Sequence, residues 1–266
     1  MSTMTMERVR HKHSPADTPI PATRIVSVEL RKMFDTRSGF WLLMSVAITS
    51  VLATGAVILW APDSNLTYDT FAAAIGFPMA VILPVMAILS VTSEWTQRSG
   101  LSTFTLIPHR GRVIAAKAVA TVIIAFASMI VAMAIGALGN IVGTAITGTP
   151  TIWGVSFLAL SEIVLANVLG MLVGFMLGVL IRNSAGAIVA YFVFSFVLTG
   201  LSELLAGSSA WWFDNRAWVD FNVAQGALFN GDMAGTDWAH LATATGIWLV
   251  IPLVVGLRLM MRSEVK

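Results

Sequence analysis

"KAVATVIIAFASMIVAMAIGALGNIVGTAI", residues 117–146, carries one charged residue, Lys117, in 30 positions. A bilayer core of roughly 30 Å is crossed by about 20 apolar helical residues, so this stretch reads as a membrane span that is tilted or runs past the lipid. Five further stretches meet the same requirement, at about 40–60, 71–93, 152–181, 185–206 and 241–261. The fourth and fifth spans are separated only by "RNSA", which demands a tight antiparallel turn.

Composition agrees with that reading. The chain is 57% hydrophobic and 11% charged, with a mean hydropathy of +0.83, far from the balance of soluble domains. An all-α, polytopic membrane protein with six transmembrane helices is expected over residues 39–266. A net charge of +2 is too small to draw nucleic acid, and no nucleic-acid partner is expected. With no cysteine there is no disulfide, thiolate metal site or cysteine nucleophile. His11, His13, His109 and His240 have no metal-ligand spacing, so no metal and no cofactor is expected on this chain.

Lys and Arg placement sets the expected orientation, because cytoplasmic loops are enriched in them. Fifteen of the 16 basic residues fall on one side; Arg216 alone is on the other, with Asp63, Asp69, Asp214, Asp220, Asp232 and Asp237. Both termini are therefore expected in the cytoplasm of a cell in whose plasma membrane the protein sits. Trp41 and Trp95 then fall at inner boundaries, and Trp60, Trp153 and Trp238 at outer ones, where amphipathic rings prefer to lie. The first span starts after about 39 residues, too late for a cleavable leader, and reads as a retained anchor.

Ahead of that span, residues 22–38 read as an amphipathic helix on the inner membrane surface. Val26, Leu30, Met33 and Phe34 form one apolar stripe, with Arg24, Ser27, Arg31, Lys32 and Asp35 elsewhere on the circumference. The basic residues either set topology or form a docking surface. Residues 1–21, with Pro15, Pro19 and Pro21, read as a disordered tail.

Between the second and third spans the chain inserts a polar, basic hairpin, "EWTQRSGLSTFTLIPHRGRV", residues 94–113. Leu101, Phe104, Leu106 and Ile107 are apolar residues expected to face cytoplasm, which marks either a protein-docking surface or side chains dipping into headgroups. Gly100 permits a sharp reversal, and Pro108 stops a short helix before the basic turn. The pattern Glu94, Arg98, Gly100, Leu101, Thr103, Leu106, Pro108, Arg110, Arg112, Val113 and "AAK" ending at Lys117 resembles the coupling hairpin of bacterial ABC transporter type-2 permeases. The likeness extends over residues 22–266: an interfacial helix, six spans, a cytoplasmic hairpin at 94–116 after the second, and a long external segment at 207–240.

That resemblance implies two permease subunits, identical or homologous, assembled with two cytoplasmic ABC ATPase subunits that use ATP and Mg. The hairpin, through Glu94, Arg98, Gly100, Leu101, Phe104, Leu106, Pro108, Arg110 and Arg112, would transmit ATPase closure to the spans. The chain itself contains no G-x-x-x-x-G-K-[ST] phosphate loop. The resemblance also implies that the second and fifth spans line the path, so that "YFVFSF", with Tyr191, Phe192, Phe194 and Phe196, offers aromatic contacts to an amphipathic substrate. An aromatic stripe is otherwise bundle core or lipid-facing surface.

Within the spans, Glu162 stands out, because a carboxylate near the midplane is costly unless protonated, paired or facing water. It is either functional or hydrogen-bonded within the bundle near Asn167; Glu203, nearer an outer end, reaches water more readily. Pro78 and Pro84 remove backbone donors from the second span, predicting a kink and carbonyls available to neighbours. Gly170, Gly174 and Gly178 repeat every four residues and predict close helix packing, within the chain or across a dimer. The external segment, rich in Trp and Phe, is expected to form short helices at the outer interface, turning at Asn230-Gly231, as a lid or a resting loop.

The leading function is an ABC exporter subunit for an amphipathic, drug-like or lipid-like compound. A proton- or ion-coupled transporter or channel using Glu162 is the alternative, although no repeat with paired broken helices is visible. No nucleophile-base or metal constellation supports an intramembrane enzyme.

Overall fold

The computed structural model describes residues 20–96, 110–231 and 233–262. Among these the protein is all-helical, without a β-strand, and the one β-bridge joins Thr67 to Ile152. A short helix α1, Ala22–Asp35, precedes α2, Arg37–Trp60. Then come α3, Tyr68–Thr96; α4, Arg110–Thr147; α5, Phe157–Ile181; and α6, Ser184–Ser208. A helix α7, Ala210–Asn215, and α8, Phe221–Asn230, lead to α9, Gly235–Arg262. Six of these, α2 to α6 and α9, are long and apolar enough to cross a membrane, and the architecture is that of a multi-pass membrane protein.

The six expected spans are all present, with shifted ends. Residues 152–156 do not belong to the fourth span. Apolar Ile152 and Trp153 serve the α4–α5 connection instead: Ile152 O accepts from Tyr68 N at 3.1 Å and from Asn140 Nδ2 at 2.9 Å, and the Trp153 ring lies 5.7 Å from that of Tyr68. The helix starts at Phe157, where the Ser156 hydroxyl accepts from Ala159 N. At the other end, α4 runs for 38 residues, about 57 Å, well beyond a bilayer core. The "RNSA" turn is as tight as its length demands. Arg182 adopts a left-handed conformation at φ 57°, and the Asn183 side chain accepts from Gly186 N to start α6.

Helices α3 and α5 form the centre of the bundle, and their contact is the most extensive in the fold. One buried cluster joins α2, α3, α4 and α5 through residues such as Met79, Leu83, Ile124 and Phe175. A second joins α5, α6, α8 and α9 through Val173, Tyr191, Phe221 and Leu249. The glycine repeat is resolved as packing within the chain: Gly170 faces Pro84 and Gln225, Gly174 faces the Pro84 backbone, and Gly178 faces Ile88 and Val91. A second glycine face on α4, Gly139 and Gly143, lies against Phe71.

The helix α1 buries Ile25 and Glu29, and Leu30 and Met33 of the expected stripe pack partly buried against the core, while Phe34 is 54% exposed. Glu29 is buried with its partner on α4, described below. The expected tail lies outside the described residues up to position 19, as do positions 97–109 of the hairpin, including Arg98, Gly100, Leu101, Phe104, Leu106 and Pro108.

Candidate functional site

A cavity of about 210 Å³ lies between α3, α5, α6 and α8. Its α3 wall carries Pro84, which has no N–H, so the Ala80 carbonyl four residues earlier loses its helical donor. Tyr191 Oη on α6 donates to that oxygen at 2.5 Å. Just beyond, α6 opens into a π turn over Val193–Val197, with Leu198 N–H reaching back to Val193 O. Such a change of register takes one carbonyl out of the ladder. Phe194 O is engaged from outside, by Asn222 Nδ2 of α8 at 3.0 Å. The third tie is Gln225 Nε2 of α8, donating to Ala166 O of α5 at 2.6 Å.

These ties explain how a helix from the 207–240 segment enters the wall of the bundle. Asp220 starts α8 by accepting from Asn222 N and Val223 N, and Gly231 ends it at φ 75°. Thr243 Oγ1 and Trp248 Nε1 of α9 hold the chain before it by donating to Trp218 O and Val219 O. Tyr191→Phe is expected to lower stability by about 1–3 kcal/mol, because it leaves the Ala80 oxygen, which Pro84 cannot serve, without a donor. Thermal unfolding of the purified protein measures that loss.

Of the residues singled out in the sequence, Pro84, Tyr191, Phe194 and Phe196 line the cavity, whereas Pro78, Phe192 and Glu162 do not. Phe192 stacks on Phe196, with ring centroids 5.8 Å apart. Asn167, Asn222 and Gln225 also line the cavity and were not legible as a group, because they come from a span and from the 207–240 segment. Among the described residues, the walls carry no charged side chain.

Glu162 is the sixth residue of α5, so it lies about 8 Å from the helix start, closer to that end than the midplane position expected from a start at 152. It is 3% exposed, and its Oε2 has no hydrogen-bond partner among the described residues. Asn167 is not that partner, since its Nδ2 donates to Ile163 O at 2.9 Å. Glu203 pairs with Arg216 at 2.8 Å.

At the opposite end of α3 the structure builds a buried ionic joint. Lys117 Nζ, on α4, donates to Glu29 Oε2 of α1 at 2.6 Å and to Ser90 O of α3 at 3.2 Å; Lys32 Nζ donates to Glu29 Oε1 at 2.7 Å. Glu29 and Lys117 are 5% and 3% exposed, so the pair is desolvated as well as close. Burial pushes the Glu29 carboxyl up, but Lys117 and then Lys32 outweigh it and hold the group below the ordinary value of 4.5. Arg112 donates to Ile20 O from the same region, tying α4 to the chain before α1. Glu94 lies in the last turn of α3 and Arg110 begins α4, so the joint stands at the root of the hairpin.

Among the described residues, no cluster of three or more His, Asp or Glu side chains is placed to hold a metal ion. Compared with known proteins, the chain matches no family model and no curated sequence.

Proposed function

We propose that the chain is the transmembrane permease subunit of an ATP-driven exporter of the ABC type-2 kind, moving an amphipathic, drug-like or lipid-like compound. In this reading the 94–113 hairpin receives a separate ATPase subunit that uses ATP and Mg, and two ATPase copies act on this chain and a second, identical or homologous permease. The one-sided distribution of basic residues supports termini in the cytoplasm and a plasma-membrane location, with α1 along the inner surface. The observation that carries the reading is the continuity of α3. One helix runs from the cavity, at Phe77, Ala80 and Pro84, to Glu94 at the hairpin root. There the Lys117 joint clamps it to α1 and α4, so a push on the hairpin is delivered to the cavity wall.

The test is purification of the tagged protein from its native membrane beside a Leu101→Asp, Leu106→Asp variant. Wild type is expected to bring down a protein with a phosphate-loop sequence and vanadate-sensitive ATP hydrolysis, and the variant to lose both. Folded wild type without ATPase activity would reject the proposal. The buried Glu162 Oε2, without a hydrogen-bond partner among the described residues, favours a second reading, proton-coupled transport without an ATPase. Transport that survives removal of ATP but is lost in Glu162→Gln would select it.

A further inference from the structure

We propose that the outward face of α1, with the first turn of α2, seats the headgroups of anionic phospholipids through Arg24, Arg31 and Arg37. This rests on the placement of α1 along the inner membrane surface, and on nothing assigned to an ATPase. The rotation of α1 divides its side chains in two. Ile25 and Glu29 are buried, and Leu30 and Met33 pack partly buried against the bundle core. Arg24, Ser27, Val28, Arg31, Phe34 and Asp35 are exposed. Arg24 and Arg31 are seven residues apart, which sets them about 20° from one line and about 10 Å apart along the axis. Thr36 alone separates α1 from α2, and its hydroxyl accepts from Gly39 N to start the second helix. Arg37 therefore stands at the corner, and it is exposed as well.

The charge on this face is not balanced from within. The ion pairs among the described residues are those of Glu29 with Lys32 and Lys117, Glu203 with Arg216, and His240 with Asp237; none includes Arg24, Arg31 or Arg37. Of the two acids on α1, Glu29 faces inward and is taken by the two lysines, so Asp35 alone offsets three arginines on the outward side. A guanidinium suits a phosphodiester, because its planar fork can hold two phosphate oxygens at once.

The apolar residues beside these arginines select lipid as the occupant. Val28 and Phe34 are exposed on either side of Arg31, and the exposed surface continues onto α2 as Phe40, Trp41, Met44 and Ile48. That flank belongs to a helix long and apolar enough to cross a membrane. A basic face continuous with such a flank meets the bilayer boundary, with its cations at the level of the phosphates and its rings among the upper acyl chains.

The probes are phosphatidylglycerol and phosphatidylcholine with identical acyl chains, offered together to the full chain in neutral detergent and counted as bound lipid by native mass spectrometry. A basic side chain at an anionic surface contributes about fivefold in affinity, so wild type is expected to prefer phosphatidylglycerol by about 100-fold. Each of Arg24→Gln, Arg31→Gln and Arg37→Gln should lower that preference about fivefold, and the triple variant should take the two lipids nearly equally. Arg258→Gln with Arg262→Gln, which removes two exposed cations from the end of α9, should leave the preference unchanged. Inorganic phosphate at the same concentration should displace no lipid.

The proposal is overturned if wild type takes the two lipids equally, if the triple variant keeps the preference, or if the α9 variant loses as much of it. Displacement of lipid by inorganic phosphate would also overturn it, by making the face a site for a free anion. So would a triple variant that keeps its lipid preference but no longer brings down an ATPase from native membranes, which would make the face a protein-docking surface. All three side chains are exposed, so the triple variant is expected to unfold at the wild-type temperature. Should it not fold, the wild-type lipid ratio and the phosphate competition still decide. Equal lipid binding with ATPase still co-purifying rejects the lipid seat alone, and an intact preference without co-purification rejects the ATP-driven reading alone.

Discussion

Glu29→Leu is expected to destabilise the protein by about 3–5 kcal/mol, because it takes the carboxylate from an ammonium that is itself desolvated. Lys117→Met should cost less. Glu29 then keeps Lys32, whose side chain is 43% exposed and well placed to share its charge with solvent. The double variant, with two apolar side chains of similar volume facing each other, is expected to regain most of the loss, since the attraction within such a pair is largely offset by the cost of burying it. Chemical unfolding of the three variants measures the ranking. Recovery of the loss by the double variant identifies the pair itself, rather than packing of either stem, as its cause.

The same joint has a defined response to acid. Glu29 is held below 4.5 in the folded protein, so its contribution is complete above the unfolded value and is lost as pH falls through the folded one. Stability from this group is therefore flat from neutrality down to about 4.5 and declines only in more acidic solution. Glu29→Leu is expected to remove that part of the acid dependence.

Gly174→Ala is expected to cost about 3 kcal/mol, at the upper end of overpacking, although a single methyl is added. A Cβ at this position would lie 2.8 Å from Pro84 Cα and 2.9 Å from its carbonyl carbon, and neither backbone atom has a rotamer by which to move away. Gly200→Ala on α6 provides the comparison. Nothing lies within 4 Å of a Cβ there, so that change should be neutral or stabilising by up to about 1 kcal/mol, through helix propensity. Thermal unfolding of the two variants reads the difference directly. Equal midpoints would show that α3 and α5 are not pressed together at Pro84.

The spans were legible because a membrane permits so few solutions: an unbroken apolar run of sufficient length has to be a helix. The fourth boundary was misplaced because Ile152, Trp153 and Val155 in "TIWGVS" extend the apolar run without a charge to interrupt it, and only the hydrogen bonds to Ile152 reveal it as a connection. Proline arithmetic exposes the Ala80 carbonyl from sequence, since it stands four residues before Pro84. Its partner Tyr191 lies 111 positions away and no local pattern points to it. The Glu29–Lys117 pair, 88 positions apart, was hidden for the same reason, and the apolar stripe read for α1 missed the one acid that decides its buried face. The π turn in α6 has no sequence signature at all, so no local pattern encodes the cavity's shape. The apolar hairpin residues read as a docking surface lie outside the described residues, so their reading rests on the motif and on what surrounds its root.

The two-residue turn at Arg182 and Asn183 bears on how the protein is made. Helix α6 is the less apolar of the pair and has little surface buried by the rest of the bundle, whereas α5 is the most enclosed of the six. With so short a link, α6 has no independent choice of direction during biosynthesis: it leaves the insertion machinery as the second arm of a hairpin whose first arm is strongly retained. Lengthening that link would free α6 to be judged on its own hydropathy.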